Sequence, residues 1–469
     1  FGKEFMTEQN KKINRRDFIK QMTGGLTGVA AGFIGLNGDA KTRRLLANTT
    51  KMIGKNKRPW WVKEVDEPTI EIDWDRLQRF NFSKTAQGGG FEKYVGETEY
   101  RRLQLIEENN EYQRIQENIP GYSLRDHAFG SAHSGLSNKR SFLGAQSAPT
   151  PEERGTEKWV GTPKEATRML RSVMRHFGAG TVGIVEINEK TKKLIYSHDP
   201  DGRAIIFEDV EKAYEDSEKR VIPNTAKWII VYTVQMSLEA LKRSPTVIAQ
   251  QTTNLSYNRG SYIQSATQNF LHGLGYQGLG EATLNGLGIS PALGVMAGLG
   301  EMSRLNRMIT PEYGPMVRVF KMITDLPLQP DKPIDAGIMD FCKTCKKCAE
   351  ACPPAALSIE DEPTWEVEGP WSNFGHKAFF EDSIKCRTYW KEKPGTNCGI
   401  CFAVCPYSKD NKVWMHSWAQ GFVSKFPFLN KYFRNLDDAF SYGAMKSVEE
   451  WWDLDLPEYG INTERVVED

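Results

Sequence analysis

The sequence predicts an α+β protein: a mixed helix-and-strand domain built on a central sheet, followed by a small segment organised by cysteine ligands. Two observations carry this expectation. From Thr162 to Thr324, helical periodicity alternates with β-branched apolar runs, as in a sheet covered by helices. All eight cysteines of the 469-residue chain then fall between Cys342 and Cys405. Apolar content of 39% and charged content of 26% describe an ordinary globular protein. The 61 basic and 60 acidic residues leave a net charge of +1. That gives no basic field for nucleic acid.

At the N-terminus, Phe1 to Phe5 read as a non-native remnant (residues 1–5), with the native chain beginning at Met6. Residues 6–40 read as a twin-arginine export signal. Asn14-Arg15-Arg16-Asp17-Phe18-Ile19-Lys20 follows a polar, basic stretch, and a weakly apolar Gly-rich run, Met22 to Leu36, comes next. That pathway carries folded proteins, which suits a chain whose cofactors are inserted before export. The plainer reading is an amphipathic helix that happens to open on an arginine pair. Cleavage would fall near Ala40 or Ala47. No later stretch offers about 18 uninterrupted apolar residues, so no further membrane-spanning helix is expected.

Residues 41–160 form a polar N-terminal region with aromatic islands at Trp60-Trp61 and Trp74. Gly88-Gly89-Gly90 and Ser131 to Thr150 read as loops. Within residues 161–329, Pro163 to Phe177 predicts a helix with Ala166, Met169, Leu170, Val173 and Phe177 on one face. Thr181 to Asn188 and Lys227 to Gln235 predict buried strands. Ser261 to Leu271 and Pro291 to Arg307 predict helices, and Pro315 to Thr324 a strand. The cysteine segment occupies residues 330–415. Residues 416–469 are a Trp- and Phe-rich tail expected to pack back on the body.

The cysteines lie in two near-copies of one pattern, Cys342-x2-Cys345-x2-Cys348-x3-Cys352-Pro353 and Cys386-x11-Cys398-x2-Cys401-x3-Cys405-Pro406. This is the spacing of a two-cluster bacterial ferredoxin. Thiolates at x2 intervals wrap one cubane, while the cysteine before proline reaches the other. Cys342, Cys345, Cys348 and Cys405 are therefore expected around one [4Fe-4S] cluster, and Cys352, Cys386, Cys398 and Cys401 around the second. Because the second copy takes its first ligand from far upstream, that loop must fold back. Zinc would favour separated CxxC pairs, usually with histidine. Disulfides are poorly suited to cysteines this dense in a chain large enough to bury its own core.

The stretch ahead of the cysteines narrows the class. Gly298-Leu299-Gly300-Glu301-Met302-Ser303-Arg304 leads to Met308-Ile309-Thr310-Pro311-Glu312-Tyr313-Gly314-Pro315-Met316-Val317-Arg318. Thr324-Asp325-Leu326-Pro327-Leu328, Asp331-Lys332-Pro333 and Phe341-Cys342 follow. This run resembles the respiratory reductive dehalogenases of organohalide-respiring bacteria, whose order of export signal, corrinoid domain and two-cluster segment also matches. The resemblance implies a nitroreductase-like α/β domain (residues 161–329) holding a base-off, cobalamin-type corrinoid. Electrons entering through the clusters would reduce cobalt to Co(I), which cleaves a carbon–halogen bond. None of the seven histidines stands in an Asp-x-His-x-x-Gly arrangement, the usual protein source of a cobalt ligand. The family further implies a small halogenated organic substrate, a small membrane-anchor subunit, an electron donor from the respiratory chain, room for a homodimer, no nucleic-acid partner, and a peripheral location on the outer face of the cytoplasmic membrane.

In such enzymes a tyrosine delivers the proton, flanked by a basic residue, and an asparagine lines the halogen side. By resemblance these roles fall on Tyr257, Arg318 and Asn285, with Tyr262 as the fallback tyrosine. A phenol, with a pKa near 10, is protonated at neutral pH and can donate, and a neighbouring guanidinium stabilises the phenolate left behind. Gly298 and Gly300, in the Gly-rich stretch 273–300, would contact the corrinoid through backbone; close helix–strand packing is the plainer reading. Tyr389 and Trp390 follow a cluster ligand and are expected near the corrinoid. Trp60, Trp61 and Trp414 are further pocket candidates that serve equally as packing residues. His272 and His376 read as structural. A chloroalkane is preferred over a chloroethene as substrate on general likeness. An epoxyqueuosine reductase, sharing both cofactor types but acting on tRNA, and a plain ferredoxin-type carrier are the alternatives.

Overall fold

The computed structural model describes residues 58–132, 140–409 and 414–461. The expected export signal and its expected cleavage positions therefore lie outside the described residues.

The centre is a four-stranded antiparallel sheet. Its strands are β1 (Val182–Glu186), β2 (Trp228–Gln235), β3 (Gly278–Leu279) and β4 (Val317–Thr324), in the order β1-β2-β4-β3. β2 and β4 pair along their whole length, from Val317 opposite Gln235 to Thr324 opposite Trp228. Both faces are covered, which is why β1 and most of β2 read as apolar runs rather than alternating ones, whereas β4 carries Arg318 and Lys321. On β2, Ile230, Tyr232 and Val234 join one buried cluster, whereas Ile229 and Val231 join another.

Two helices cover the first face: α1 (Pro163–His176) and α2 (Val247–Gly273). α1 opens on a capping box, in which Thr162 accepts from the Glu165 amide and the Glu165 side chain accepts from the Thr162 amide, with Pro163 in the first turn. Its Leu170 and Met174 are fully buried, worth about 1.5–3 kcal/mol each relative to exposure. The other face carries α3 (Ser290–Met296), whose Leu293 and Val295 pack on Ile229, Val231 and Ile323. A three-stranded excursion, Ala204–Glu208, Tyr214–Glu215 and Lys219–Pro223, lies between β1 and β2.

Three expectations are corrected. α2 begins at Val247, capped by Thr246, well before the predicted Ser261. The predicted helix Pro291 to Arg307 stops at Met296, because Gly298 adopts φ +66 and the chain then turns through the paired strands Glu301–Met302 and Met308–Ile309. The triple glycine Gly88-Gly89-Gly90 forms one wide helical turn that leads into the helix Phe91–Val95.

The N-terminal region supplies a long helix, Glu97–Gln116, that lies against Ser383–Glu392, the helix carrying Cys386. Lys391 bridges to Glu107 and Arg102 to Glu392, each at 2.5 Å. The long gap between Cys386 and Cys398 is thus a helix and turn clamped from outside. The tail packs back as expected. Trp451 buries itself against Ala240 and Ile248, and Asp437 holds Lys347 at 2.5 Å.

Candidate active site

Three elements bring Tyr257, Asn285 and Arg318 together. Tyr257 lies on α2, Arg318 near the start of β4, and Asn285 in the loop between β3 and α3. The Tyr257 hydroxyl donates to Asn285 Oδ1 at 3.2 Å. The Arg318 guanidinium lies 5.2 Å from the centre of the Tyr257 ring, and its Nη2 donates to Thr253 Oγ1 at 3.0 Å, one turn earlier on α2. Asn285 takes φ +58, a left-handed conformation that asparagine tolerates better than most residues. Tyr257 packs edge-on against Phe320, two residues beyond Arg318 on the same strand face. Among the described residues no carboxylate pairs with Arg318, so the ordinary ion pair is not its role here, and its Nε is buried without a partner. Tyr262, the fallback tyrosine, is 52% exposed and packs edge-on against Phe177, away from this group.

Beneath this trio lies a buried charge network that the sequence did not disclose. Glu281 and Lys321 are completely buried and meet at 2.7 Å. Arg140 reaches the second Glu281 oxygen at 3.0 Å and donates to the Tyr257 carbonyl at 3.2 Å. Lys321 also donates to Ser290 Oγ at 2.6 Å. Burial pushes the Lys321 ammonium down, and the Glu281 carboxylate opposes that shift. The only sequence signal was a lysine and a glutamate in otherwise apolar surroundings, and neither belonged to a motif.

The cysteine segment meets this site through Phe402, the residue after Cys401. Arg318 lies between the rings of Tyr257 and Phe402, 5.8 Å from the latter's centre. Cys342, Cys345, Cys348 and Cys405 line one small cavity with Arg304, Phe341 and Tyr407. The other four, Cys352, Cys386, Cys398 and Cys401, lie within electrostatic reach of one another. None of the eight is paired in a disulfide. Among the described residues no three Cys, His, Asp or Glu converge on a point suited to a single metal ion. Burial pushes the Cys342 thiol up to about 11 and Cys345 to about 12, with Cys348 and Cys405 also well above the usual range. Four sulfurs spread around a cavity suit an iron–sulfur cubane, whose iron replaces their protons.

The remaining candidates divide. Tyr389 lies near Cys398 and Cys352. Trp390 is on the same helix, with its indole nitrogen buried and unpartnered. Gly298 and Gly300 pack against the protein's own chain: a Cβ would lie 2.2 Å from the Lys332 carbonyl and 2.2 Å from the Ile309 carbonyl. Close packing therefore accounts for both glycines. Trp61 is fully buried among the residues around Cys342, and Trp60 is exposed. Only the backbone of Trp414 belongs to the described residues. His272 is half-buried in the last turn of α2. His376 packs against Phe380, and burial pushes its pKa down to about 4, as for a structural histidine.

Fold and site together define a redox protein with an α/β domain and a two-cluster segment. Residues 57–328 match the family model described as reductive dehalogenase subunit, and residues 341–408 match a 4Fe-4S double cluster binding domain. The chain belongs to the reductive dehalogenase family, whose members use a corrinoid beside two [4Fe-4S] clusters. It is 35% identical to the tetrachloroethene reductive dehalogenase of Sulfurospirillum multivorans over 64% of this chain, a stretch that spans 62% of that protein. With the trichloroethene reductive dehalogenase of Dehalococcoides mccartyi it shares 28% identity across 96% of this chain and 98% of that one. Among solved structures, a reductive dehalogenase described as suggesting a mechanism for B12-dependent dehalogenation superposes with a TM-score of 0.62 at 20% identity, covering 95% of this chain and 59% of that one. An epoxyqueuosine reductase from Listeria monocytogenes is 30% identical over 27% of this chain.

Proposed function

We propose that this protein removes chloride reductively from a small chlorinated hydrocarbon, with Tyr257 as proton donor. The observation that carries the reading is the convergence of Tyr257, Asn285 and Arg318 beside Phe402. A proton donor, a cation and the edge of the cluster segment thus meet at one place.

Replacing chloride by hydrogen consumes a pair of electrons and a proton. When bound, the corrinoid supplies the electron-rich cobalt that breaks the carbon–halogen bond. The residues around the trio suit such a group, because Thr283 Oγ1, two residues from Asn285, and Arg318 Nε are buried polar atoms without protein partners, free for a ligand rich in amides. Tyr257 holds the proton on its hydroxyl, and Asn285 orients that hydroxyl. Arg318, permanently charged, cannot donate as an acid but stabilises the phenolate that remains. The eight cysteines hold the two clusters in the grouping set out above and bring electrons to the seam at Phe402.

Chloroalkanes and chloroethenes both belong to the proposed substrate class. General likeness favours the former, and the names of the relatives favour the latter. The test is halide release by the purified holoenzyme under a low-potential reductant with a panel of both. Chloride release from either sustains the reading. Absence of halide release, with turnover of an epoxyqueuosine-containing tRNA stem loop, would replace it. Export through the Arg15-Arg16 signal and attachment to a membrane-anchor subunit belong to the same proposal. Both rest on the sequence and are tested by fractionating cells that carry Arg15→Lys/Arg16→Lys.

A further inference from the structure

Each half of the cysteine segment has a guanidinium beside it, and the two differ in what balances them. Arg304 is fully buried and lines the cavity of Cys342, Cys345, Cys348 and Cys405. Its Nε donates to the Cys342 carbonyl at 2.9 Å, its Nη1 to the Ser358 carbonyl at 2.7 Å and its Nη2 to the Lys343 carbonyl at 3.2 Å. The guanidinium stacks 4.0 Å from the centre of the Phe379 ring. Every one of these partners is neutral, and among the described residues no carboxylate bridges to Arg304. The other charges on this side have partners of their own, and Asp361, within electrostatic reach of Arg304, bridges to Lys346 at 2.5 Å. Lys347 bridges to Asp437 and Asp438, Lys409 also pairs with Asp437, and buried Glu301 accepts from the Ala336 and Ile338 amides and from Thr69.

The other half is arranged differently. Arg307 meets buried Glu381 at 2.6 Å. Both lie within electrostatic reach of Cys386 and Cys401. The position of Glu381 is fixed by its bridge to Leu357, and it directly precedes Asp382, the cap of the helix that carries Cys386. Here the guanidinium is offset by a carboxylate held against the ligand sulfurs.

We propose that these groups set the reduction potentials of the two clusters separately: Arg304 raises that of the cluster held by Cys342, Cys345, Cys348 and Cys405, and Glu381 holds down that of the cluster held by Cys352, Cys386, Cys398 and Cys401. The physical reason is charge. One-electron reduction makes a cluster and its thiolates more negative, and local charge, hydrogen bonding and exposure tune the potential of such centres. A buried cation whose direct partners are all neutral favours the reduced form, more strongly where the dielectric is low. A buried carboxylate disfavours it, and Arg307 offsets Glu381 only in part because its side chain is 38% exposed and screened by solvent, against 7% for Glu381. The inference rests on the ligand grouping and not on the dehalogenation chemistry.

The test is a redox titration of the holoenzyme followed by electron paramagnetic resonance, with iron counted per chain and no halocarbon present. In Arg304→Gln one midpoint should move to more negative potential while the other stays in place. Arg304→Lys keeps the charge, but its compact ammonium cannot reach the three separate carbonyls that the guanidinium spans, so it should move less than Arg304→Gln; a purely structural role would give equal shifts. Glu381→Gln, nearly isosteric, should move the other midpoint to more positive potential. Midpoints that shift together, or stay fixed in all three variants, would overturn the proposal. Should Arg304→Gln lose iron, Arg304→Lys and Glu381→Gln decide on the same criteria. A protein that titrates as expected yet releases no halide would leave this inference standing and remove only the proposed reaction.

Discussion

In the sheet domain, buried charge is closed on itself. Glu281 is shared between Lys321 and Arg140, and apolar side chains fill both faces of the sheet around them. In the cysteine segment, Arg304 has only carbonyl partners and the helices are short, eight residues for Ile338–Cys345 and four each for Lys347–Glu350 and Ile400–Ala403. The buried cluster there includes Cys342, Cys345 and Cys405 themselves. A core made partly of ligands is incomplete until its metal arrives, because ligand binding is then part of folding. The contrast separates a scaffold that stands on apolar packing from a segment that stands on iron.

The largest effect should come from removing a ligand. Cys342→Ser is expected to abolish electron supply, to remove one of the two cluster signals in electron paramagnetic resonance, and to leave α1, α2 and the sheet protected in hydrogen exchange. Two intact cluster signals would contradict the grouping. Next is Tyr257→Phe, which removes only the donated proton. General acid catalysis of this kind contributes about 10²–10⁴-fold, so turnover should fall by that order with both cofactors retained. Near-normal turnover would remove Tyr257 from the mechanism. Glu281→Leu strands Lys321 in a dry site and should destabilise the sheet domain by about 3–5 kcal/mol, with much of that recovered in Glu281→Leu/Lys321→Met. Equal stability of the single variant and the parent in denaturant titration would mean the charges are not closed as described. Smallest is Thr162→Ala, which takes away the capping box of α1 for about 1 kcal/mol; cluster signals should not change, and any coupling to them would blur the division between the regions.

What was readable in the sequence follows the same division. Ligand spacing is local, so the cysteine pattern could be grouped before any fold was known. The start of α1 was readable because Thr162, Pro163 and Glu165 write a helix start in four residues. The start of α2 was not: its first turns carry Gln250, Gln251, Thr252, Thr253 and Asn254, polar residues without apolar periodicity, and the order there comes from tertiary contacts such as Arg318 to Thr253. The overlong helix after Pro291 failed because Gly298 and Gly300 serve a tight turn against Lys332 and Ile309, partners distant in sequence or across a turn. Tyr257, Asn285 and Arg318 were reached only through a family resemblance, since no local rule ties a helix, a loop and a strand. The network under them was missed altogether, as single charged residues in a strand or loop look alike whether paired inside or solvated outside.

The seat of Arg318 between two rings has a consequence for assembly. One ring, Tyr257, is part of the scaffold, and the other, Phe402, stands beside Cys401 in the helix Ile400–Ala403. A chain that has not acquired its second cluster lacks one anchor of that helix, and with it of one wall of the guanidinium's seat. If Tyr257 and the clusters act as proposed, electron delivery and proton delivery are matured by the same event, and a half-loaded molecule is disarmed on both counts.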